Sequence, residues 1–252
     1  MKNNIFCLYI SDLHVNKKKE IKRLLKQKNS EQKINDFFQK QIQNIVRTIP
    51  THNLSKIRIF IVGDVSSNFN LFQSFFILYC QKIKIKTYLI LGNHEFKALF
   101  YEKKMYNYPQ IVDHYQKFLS SLGIEMLEDY LIIENNDQQV TKFSIQEILK
   151  LNVTEIKNIF ANSSFGVLGS FSGSKMLSQV HCQLRKIVSN VKLIIVTHLP
   201  LKNWLQDQIN FQWIYLYGHT HHNVMKIPCY ADNQIGVHKE LKFKSFTLCL
   251  TC

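Results

Sequence analysis

The sequence predicts an α/β fold, and three observations predict it. Short apolar runs alternate with amphipathic helical stretches through the first half of the chain. Their order (strand, helix, strand, helix, strand) is that of a parallel sheet joined by crossover helices. The strands end in Asp, His or Asn, at the carboxyl edge where open α/β sheets bind ligands.

Residues 5–10 form the first apolar run and lead into Ser11-Asp12-Leu13-His14. In an extended segment residues two apart point the same way, so Asp12 and His14 face one point and suit a hard or borderline metal ion. Taken alone this pair is a weak signal, because any exposed loop can carry it. Residues 17–28 are strongly basic and read as a solvated surface run, or as a helix or flap beside that turn. In residues 31–49, Ile34, Phe37, Phe38, Ile42, Ile45, Val46 and Ile49 recur at three- and four-residue steps. That is one face of a helix, with Ser30 as its cap and Pro50 as its stop.

Residues 57–62 form the second strand, followed by Gly63-Asp64-Val65. Asp64 reads either as a ligand at the strand's carboxyl end or as a helix cap beside Ser66-Ser67-Asn68. Residues 71–83 are a second apolar-faced helix. Residues 87–91 are the third strand, and Gly92-Asn93-His94-Glu95 follows. Gly92 permits a sharp turn there. Two polar side chains straight after a buried strand make sense if Asn93 offers its amide oxygen to a cation and His94 reaches a ligand beside it.

Residues 97–121 read as helical, interrupted at Tyr108-Pro109 and ended near Gly123. The aromatics Phe96, Phe100, Tyr101, Tyr106, Tyr108, Tyr115 and Phe118 exceed what one helix face needs; they are core residues or cleft-lining ones. Residues 125–134 look like strand, Asn135-Asn136-Asp137 like a turn, and residues 140–159 fit either type. The glycines Gly166, Gly169 and Gly173 either bring backbone N–H groups to a phosphate or let backbones pack closely. Residues 176–188 are helix-like. The apolar runs 191–196 and 213–217 end in Thr197-His198 and in Gly218-His219-Thr220-His221-His222. Residues 224–230 and 241–250 read as closing strands of a second sheet.

At 252 residues and 46% apolar composition, the chain can bury a full core and is not of the disordered class. With no composition shift or linker, residues 1–252 read as a single domain. No apolar run reaches the ~18 residues of a membrane span, and the N-terminus lacks the pattern of a signal peptide. The expectation is a cytoplasmic protein with no membrane partner. The net charge of +14 reflects either a composition rich in Lys, Asn and Ile or a polyanionic partner. Of six scattered cysteines, Cys7, Cys80 and Cys229 lie in apolar surroundings and read as core. Cys249-Leu250-Thr251-Cys252 lacks the second pair that a zinc site needs.

The polar strand ends gain weight as a set. Asp12-x-His14, Gly63-Asp64, Gly92-Asn93-His94-Glu95, His198 and Gly218-His219-x-His221 occur in one order along the chain. This order resembles the calcineurin-like metallophosphoesterase superfamily, whose signature is D-x-H, G-D, G-N-H-[DE], a lone His and G-H-x-H. Every position is filled between Asp12 and His221. Residues 171–173, 198–204 and 231–236 add a softer similarity to a bacterial branch of that superfamily.

The resemblance implies a four-layer α/β/β/α sandwich of two mixed sheets, with a dinuclear metal centre at the strand carboxyl ends. By motif position, Asp12, His14 and His221 hold one metal; Asn93, His198 and His219 hold the other; Asp64 bridges both. His94 is implied as the catalytic residue that is not a ligand, acting on the leaving oxygen, and Glu95 as a support of the turn. His222 has no implied role, and His52, His114, His181 and His238 read as ordinary. Two ions ~3.5–4 Å apart activate a bridging hydroxide and neutralise a phosphoryl group during in-line attack. Imidazole and carboxylate ligands suit Mn²⁺ first, then Fe, Zn²⁺ or Ni²⁺.

The implied activity is hydrolysis of phosphate esters, phosphodiesters of nucleotides or cyclic nucleotides first. A DNA or RNA nuclease, which the charge would serve, is the alternative, and a protein phosphatase comes third. A catalytically silent metal-binding scaffold is the reading of another class. It predicts lost ligands, whereas all seven ligand positions and His94 are present.

Overall fold

The computed structural model describes residues 4–51, 54–102, 107–135, 139–161, 163–171, 175–188, 190–205, 208–236 and 240–250. Its strands are β1 (Asn4–Ser11), β2 (Ile57–Val62), β3 (Thr87–Ile90), β4 (Glu125–Met126), β5 (Tyr130–Asn135), β6 (Val140–Ser144), β7 (Ser163–Ser170), β8 (Leu193–Thr197), β9 (Ile214–Tyr217), β10 (Val224–Lys226), β11 (Cys229–Ala231) and β12 (Lys244–Cys249). Its helices are α1 (Lys19–Leu24), α2 (Glu31–Val46), α3 (Phe69–Lys82), α4 (Asn93–Glu102), α5 (Tyr108–Ser121), α6 (Ile145–Lys150), α7 (Val153–Ala161) and α8 (Lys175–Ile187).

Side-chain alternation along the strands sorts these elements into layers. In β1–β3, Leu8, Ile10, Ile59, Ile61 and Leu89 point to one side and pack with Phe38, Phe72, Phe76 and Tyr115 of helices α2, α3 and α5. The intervening Cys7, Tyr9, Phe60, Val62, Tyr88 and Ile90 point the other way and meet Ile132, Val167, Ile194, Val196 and Leu216 of the second sheet. The far side of that sheet, with Leu131, Leu168, Ile195 and Tyr215, is covered by Ile148, Ile156, Leu177, Val180 and Leu184 of α6–α8. Three apolar seams make four layers, α/β/β/α, as the sequence resemblance implies.

Both sheets are mixed. The first runs β12-β1-β2-β3-β4, with β1 to β4 parallel and β12 antiparallel to β1. The second runs β10-β11-β9-β8-β7-β5-β6, with β7, β8, β9 and β11 parallel. One expectation is overturned here. Residues 241–250 do not close the second sheet. β12 pairs with β1, placing Phe246 and Leu248 in the seam between the sheets.

Several local readings are also settled. Ser30 makes no capping bond with its side chain, whereas Asn68 caps α3 by accepting from Leu71 N at 2.8 Å. Asp64 is therefore not the cap. Pro109 stands in the first turn of α5, where its missing N–H costs nothing, and Asn107 caps that helix. The run 125–134 breaks at a turn over residues 127–129 and changes sheet. The ambiguous residues 140–159 become β6, α6 and α7, with a Ser144–Glu147 capping box at α6. A side chain at Gly166 would meet Leu193, and one at Gly169 would meet Leu127, so these two glycines serve close packing. His52, Tyr106, Asn136, Asp137, Gly173, His238 and Cys252 lie outside the described residues. No helix among the described residues is long and apolar enough to cross a membrane.

Ion pairs to Glu134 cross the seam. Arg58 of β2 donates to both carboxylate oxygens of Glu134 on β5, through Nε at 3.0 Å and through Nη2. Lys86 Nζ, at 3.2 Å, and Tyr88 Oη, at 3.1 Å, add to Glu134 Oε2. Burial pushes the Glu134 carboxyl up, but the Arg58 contacts and Lys86 bring it below its ordinary value. Removing one partner leaves the other charge buried and uncompensated. Glu134→Ala should therefore cost about 3–5 kcal/mol, read as a lower midpoint in denaturant-induced unfolding.

Candidate metal centre

Strands β1, β2, β3, β8 and β9 deliver the five polar motifs to one edge. Backbone bonds lock these ends together. Asp12 N donates to Gly63 O at 3.0 Å, His14 N to Asp64 O at 2.9 Å, and Gly218 N to His198 O at 3.1 Å. The structure corrects how the paired motifs converge. Asp12 and His14 are not in extended backbone. They have φ of 55° and 45°, and Asp64, His219 and His221 are also left-handed, at 53°, 71° and 55°. A left-handed residue swings its side chain out of the strand's alternation, and this gathers the five groups at the edge.

The role of Gly92 is likewise different from a sharp turn. Its φ is not left-handed, but a Cβ there would run into the Asp64 carboxylate and backbone N. Gly63 does have positive φ, at 71°, and a Cβ on it would press on His198. Both positions keep space for the Asp64 and His198 side chains.

All eight residues expected at the site lie in this cluster. His14 Nε2 is 3.0 Å from His221 Nε2, and His221 Nε2 is 3.5 Å from Asp12 Oδ1. His14 Nε2 lies 3.8 Å from Asp64 Oδ2. On the other side, His198 Nε2 is 3.5 Å from Asp64 Oδ2, 3.1 Å from Asn93 Oδ1 and 3.2 Å from His219 Nδ1. His219 Nδ1 is itself 3.1 Å from Asn93 Oδ1. Two groups of donors result, Asp12-His14-Asp64-His221 and Asp64-His198-His219, each with its ligand atoms within 4.8 Å of one another. Asp64 belongs to both, and Asn93 adds an oxygen to the second.

The donor set fits cations. Two imidazole nitrogens facing each other at 3.0 Å can share only one proton, and their other neighbours are acceptors. Such a cage of lone pairs is satisfied by a positive ion at its centre. Burial pushes the His14 imidazole down to about 3, against the pull of Asp64, so its ring is neutral as a ligand must be. Burial acts to raise Asp64, but its hydrogen bond and ion pair with His198 and the His94 N–H hold the carboxyl well below the usual range.

Several residues outside the eight support the cluster. Glu95, read as a turn support, is fully buried and accepts Gly92 N at 2.7 Å, Ser66 N at 2.8 Å and Asp64 N at 3.0 Å. Glu128 accepts Leu91 N at 2.6 Å, Phe171 N at 3.0 Å and the Tyr108 hydroxyl at 3.0 Å, tying the ends of β3 and β7. Gln234 accepts His221 N at 2.6 Å and anchors the His-x-His turn to Ala231 O and His222 O. The Phe171 ring stacks on His198 with centroids 5.9 Å apart, and Phe96 lies against Phe171. Gln234 falls in the 231–236 stretch that the softer resemblance had marked; nothing in the sequence pattern marks Glu128. His114 packs on Phe69, and His181 is buried against the Tyr215 hydroxyl, both away from the cluster. His222 is exposed.

A four-layer α/β sandwich that gathers Asp, His and Asn donors at its strand ends is the arrangement expected of a metallophosphoesterase. The calcineurin-like phosphoesterase profile matches residues 7–223, and the chain belongs to that family. Members typically bind two divalent metals. The chain is similar in fold to the phosphopantetheinyl hydrolase PptH from Mycobacterium tuberculosis, at 12% identity and a TM-score of 0.50, covering 95% of this chain and 92% of that one. A 5'-nucleotidase from Candida albicans aligns at 13% identity and a TM-score of 0.47; this chain is covered in full but spans 53% of the nucleotidase. No curated protein matches.

Supports of this kind tune metal sites by one to two orders of magnitude. In Glu95→Gln an amide N–H₂ would replace one of the acceptor oxygens that face three N–H donors. Its divalent-ion affinity should fall about 10- to 100-fold, measured by calorimetric titration of the metal-stripped protein with Mn²⁺.

Proposed function

We propose that this protein is a two-metal hydrolase of phosphate esters, acting first on phosphodiesters of nucleotides or cyclic nucleotides. The observation that carries the reading is the single buried carboxylate, Asp64, shared by two adjacent donor groups. Asp12, His14 and His221 would hold one ion and Asn93, His198 and His219 the other, with Asp64 shared between the two donor groups. Mn²⁺ is the preferred metal, with Fe, Zn²⁺ or Ni²⁺ as substitutes. Two divalent ions so held supply Lewis acidity toward the phosphoryl oxygens and lower the pKa of the attacking water.

The chain's own residues do the rest. Asn93 contributes a neutral oxygen, which leaves the centre net positive for an anion. His94 lies beside the shared carboxylate, with Nε2 3.9 Å from Asp64 Oδ2, and is not in either donor group. It hydrogen-bonds or protonates the leaving oxygen as the ester bond breaks. Its backbone N–H, 2.9 Å from Asp64 Oδ1, orients the bridging carboxylate. His219 and His221 are exposed, so the centre is open to solvent along the second sheet's edge. An open edge accommodates a substituent on each side of the phosphorus, which favours diesters. The net charge of +14 favours a nuclease as the second reading, with binding that weakens steeply with salt.

The test is turnover of an aryl phosphodiester with Mn²⁺. Asp64→Asn should abolish it together with ion binding. His94→Ala should keep both ions by elemental analysis while kcat falls about 10²- to 10⁴-fold. Asn93→Ala should lose ion occupancy. Absence of turnover with every divalent metal, or full activity in Asp64→Asn, would sink the reading.

A further inference from the structure

Lys17 is the feature of this edge that no signature motif explains. Its Nζ lies 2.9 Å from His94 Nε2, and His94 Nε2 is in turn 3.9 Å from Asp64 Oδ2. The ammonium and the shared carboxylate thus both lie near the same imidazole nitrogen. Among the described residues it forms no ion pair with a carboxylate, and its one hydrogen bond goes to the His94 ring. An ammonium has three donors, so two of them remain for another acceptor.

The residue is held in place rather than waving in solvent. Lys17 N donates to His14 O at 2.8 Å, closing a single turn of 3-10 helix right after the ligand His14. That turn is stitched to the loop after β2. Val15 N donates to Val65 O at 2.8 Å, and the Asn16 side chain exchanges two hydrogen bonds with Ser67, at 2.6 and 3.1 Å. Lys17 is half-buried. Burial and then the nearby Lys97 and Lys22 oppose its charge, whereas Asp64 favours it. A cation kept half-buried near two others, with donors to spare, is placed to receive an anion.

We infer that Lys17 is a substrate-contacting residue that donates to a phosphoryl oxygen of the ester beside His94 and selects for the more negatively charged phosphoryl group. This rests on the phosphoester reading above. The ammonium binds either class of ester, but its attraction grows with charge on the phosphoryl oxygens. A monoester dianion therefore depends on it more than a diester monoanion does. Lys17 narrows the preference for diesters that the open edge creates.

The experiment compares wild type, Lys17→Met and Lys17→Arg with Mn²⁺ on an aryl phosphodiester and an aryl phosphomonoester. Inorganic phosphate is titrated calorimetrically into each metal-loaded protein, and ion content and melting temperature serve as controls. Lys17→Met should keep its ions and its fold. Its kcat/KM should fall about 10- to 100-fold, the effect of losing a hydrogen bond from a charged group. The fall should be larger for the monoester, the Kd for phosphate should rise in parallel, and Lys17→Arg should recover most of both. If wild type cleaves esters and Lys17→Met matches it on both substrates and on phosphate, the Lys17 role is overturned and the phosphoester reading stands. An equal fall on both substrates with ions lost makes Lys17 merely structural and also overturns it. If wild type cleaves neither ester, both inferences fall.

Discussion

The structure of this edge depends on one buried carboxylate that is not in either donor group. Glu95 accepts the backbone N–H groups of Gly92, Ser66 and Asp64. These three bonds join the loop after β2 to the loop after β3, so the shared donor Asp64 and the donor Asn93 move as one unit. Burial pushes the Glu95 carboxyl up to about 8, with the neighbouring Asp64 adding to it and the backbone donors opposing. Asp12, Asp64 and Glu95 are thus three buried carboxyls at one edge. Among the described residues no Lys or Arg forms an ion pair with any of them. A buried charge such as that of Asp64 requires compensation, and a cation is the compensation the donor geometry accepts.

Strain is concentrated in the same place. Five of the seven non-glycine residues with positive φ among the described residues are Asp12, His14, Asp64, His219 and His221. Such conformations cost on the order of 1–3 kcal/mol each and persist where surrounding structure over-determines them. Here the surroundings are visible. Asp12 is fastened through its N–H to Gly63 O and through its side chain to His219 N, at 3.0 Å in each case. His221 is fastened by Gln234. The strain is the means by which residues two apart in sequence are split between two donor groups: His221 joins Asp12 and His14, and His219 joins His198.

The sandwich supplies the rigid frame behind this edge. The Arg58–Glu134 pair and the aromatic seam of Tyr9, Phe60, Tyr88 and Phe165 fix one sheet on the other. Glu128 extends the link to the working end, because its acceptors bind Leu91 N of the first sheet's edge and Phe171 N of the second's. Donors that arrive from two sheets are therefore held at distances near 3 Å without help from a single continuous element. A buried seam resists the sliding that would part them.

Much of this was legible in the chain itself. Residues 57–62 read as a strand and are β2 with the same bounds, because six apolar or stem-burying residues in a row are a local signal. The ends of the apolar runs marked all eight candidate site residues, since polar groups after buried strands stand out against their own neighbours. Composition and order determined the α/β class, and the motif series determined the family.

Tertiary structure alone decided the rest. It put β12 against β1, made Asn68 rather than Asp64 the helix cap, and gave Asp12 and His14 left-handed rather than extended backbone. It also brought Glu128 to Leu91 and Phe171, Gln234 to His221, and Lys17 to His94. The physical reason is range. Periodicity and strand ends are written in consecutive residues. A donor that finds its acceptor far along the chain leaves no trace in either neighbourhood until the sheets are packed.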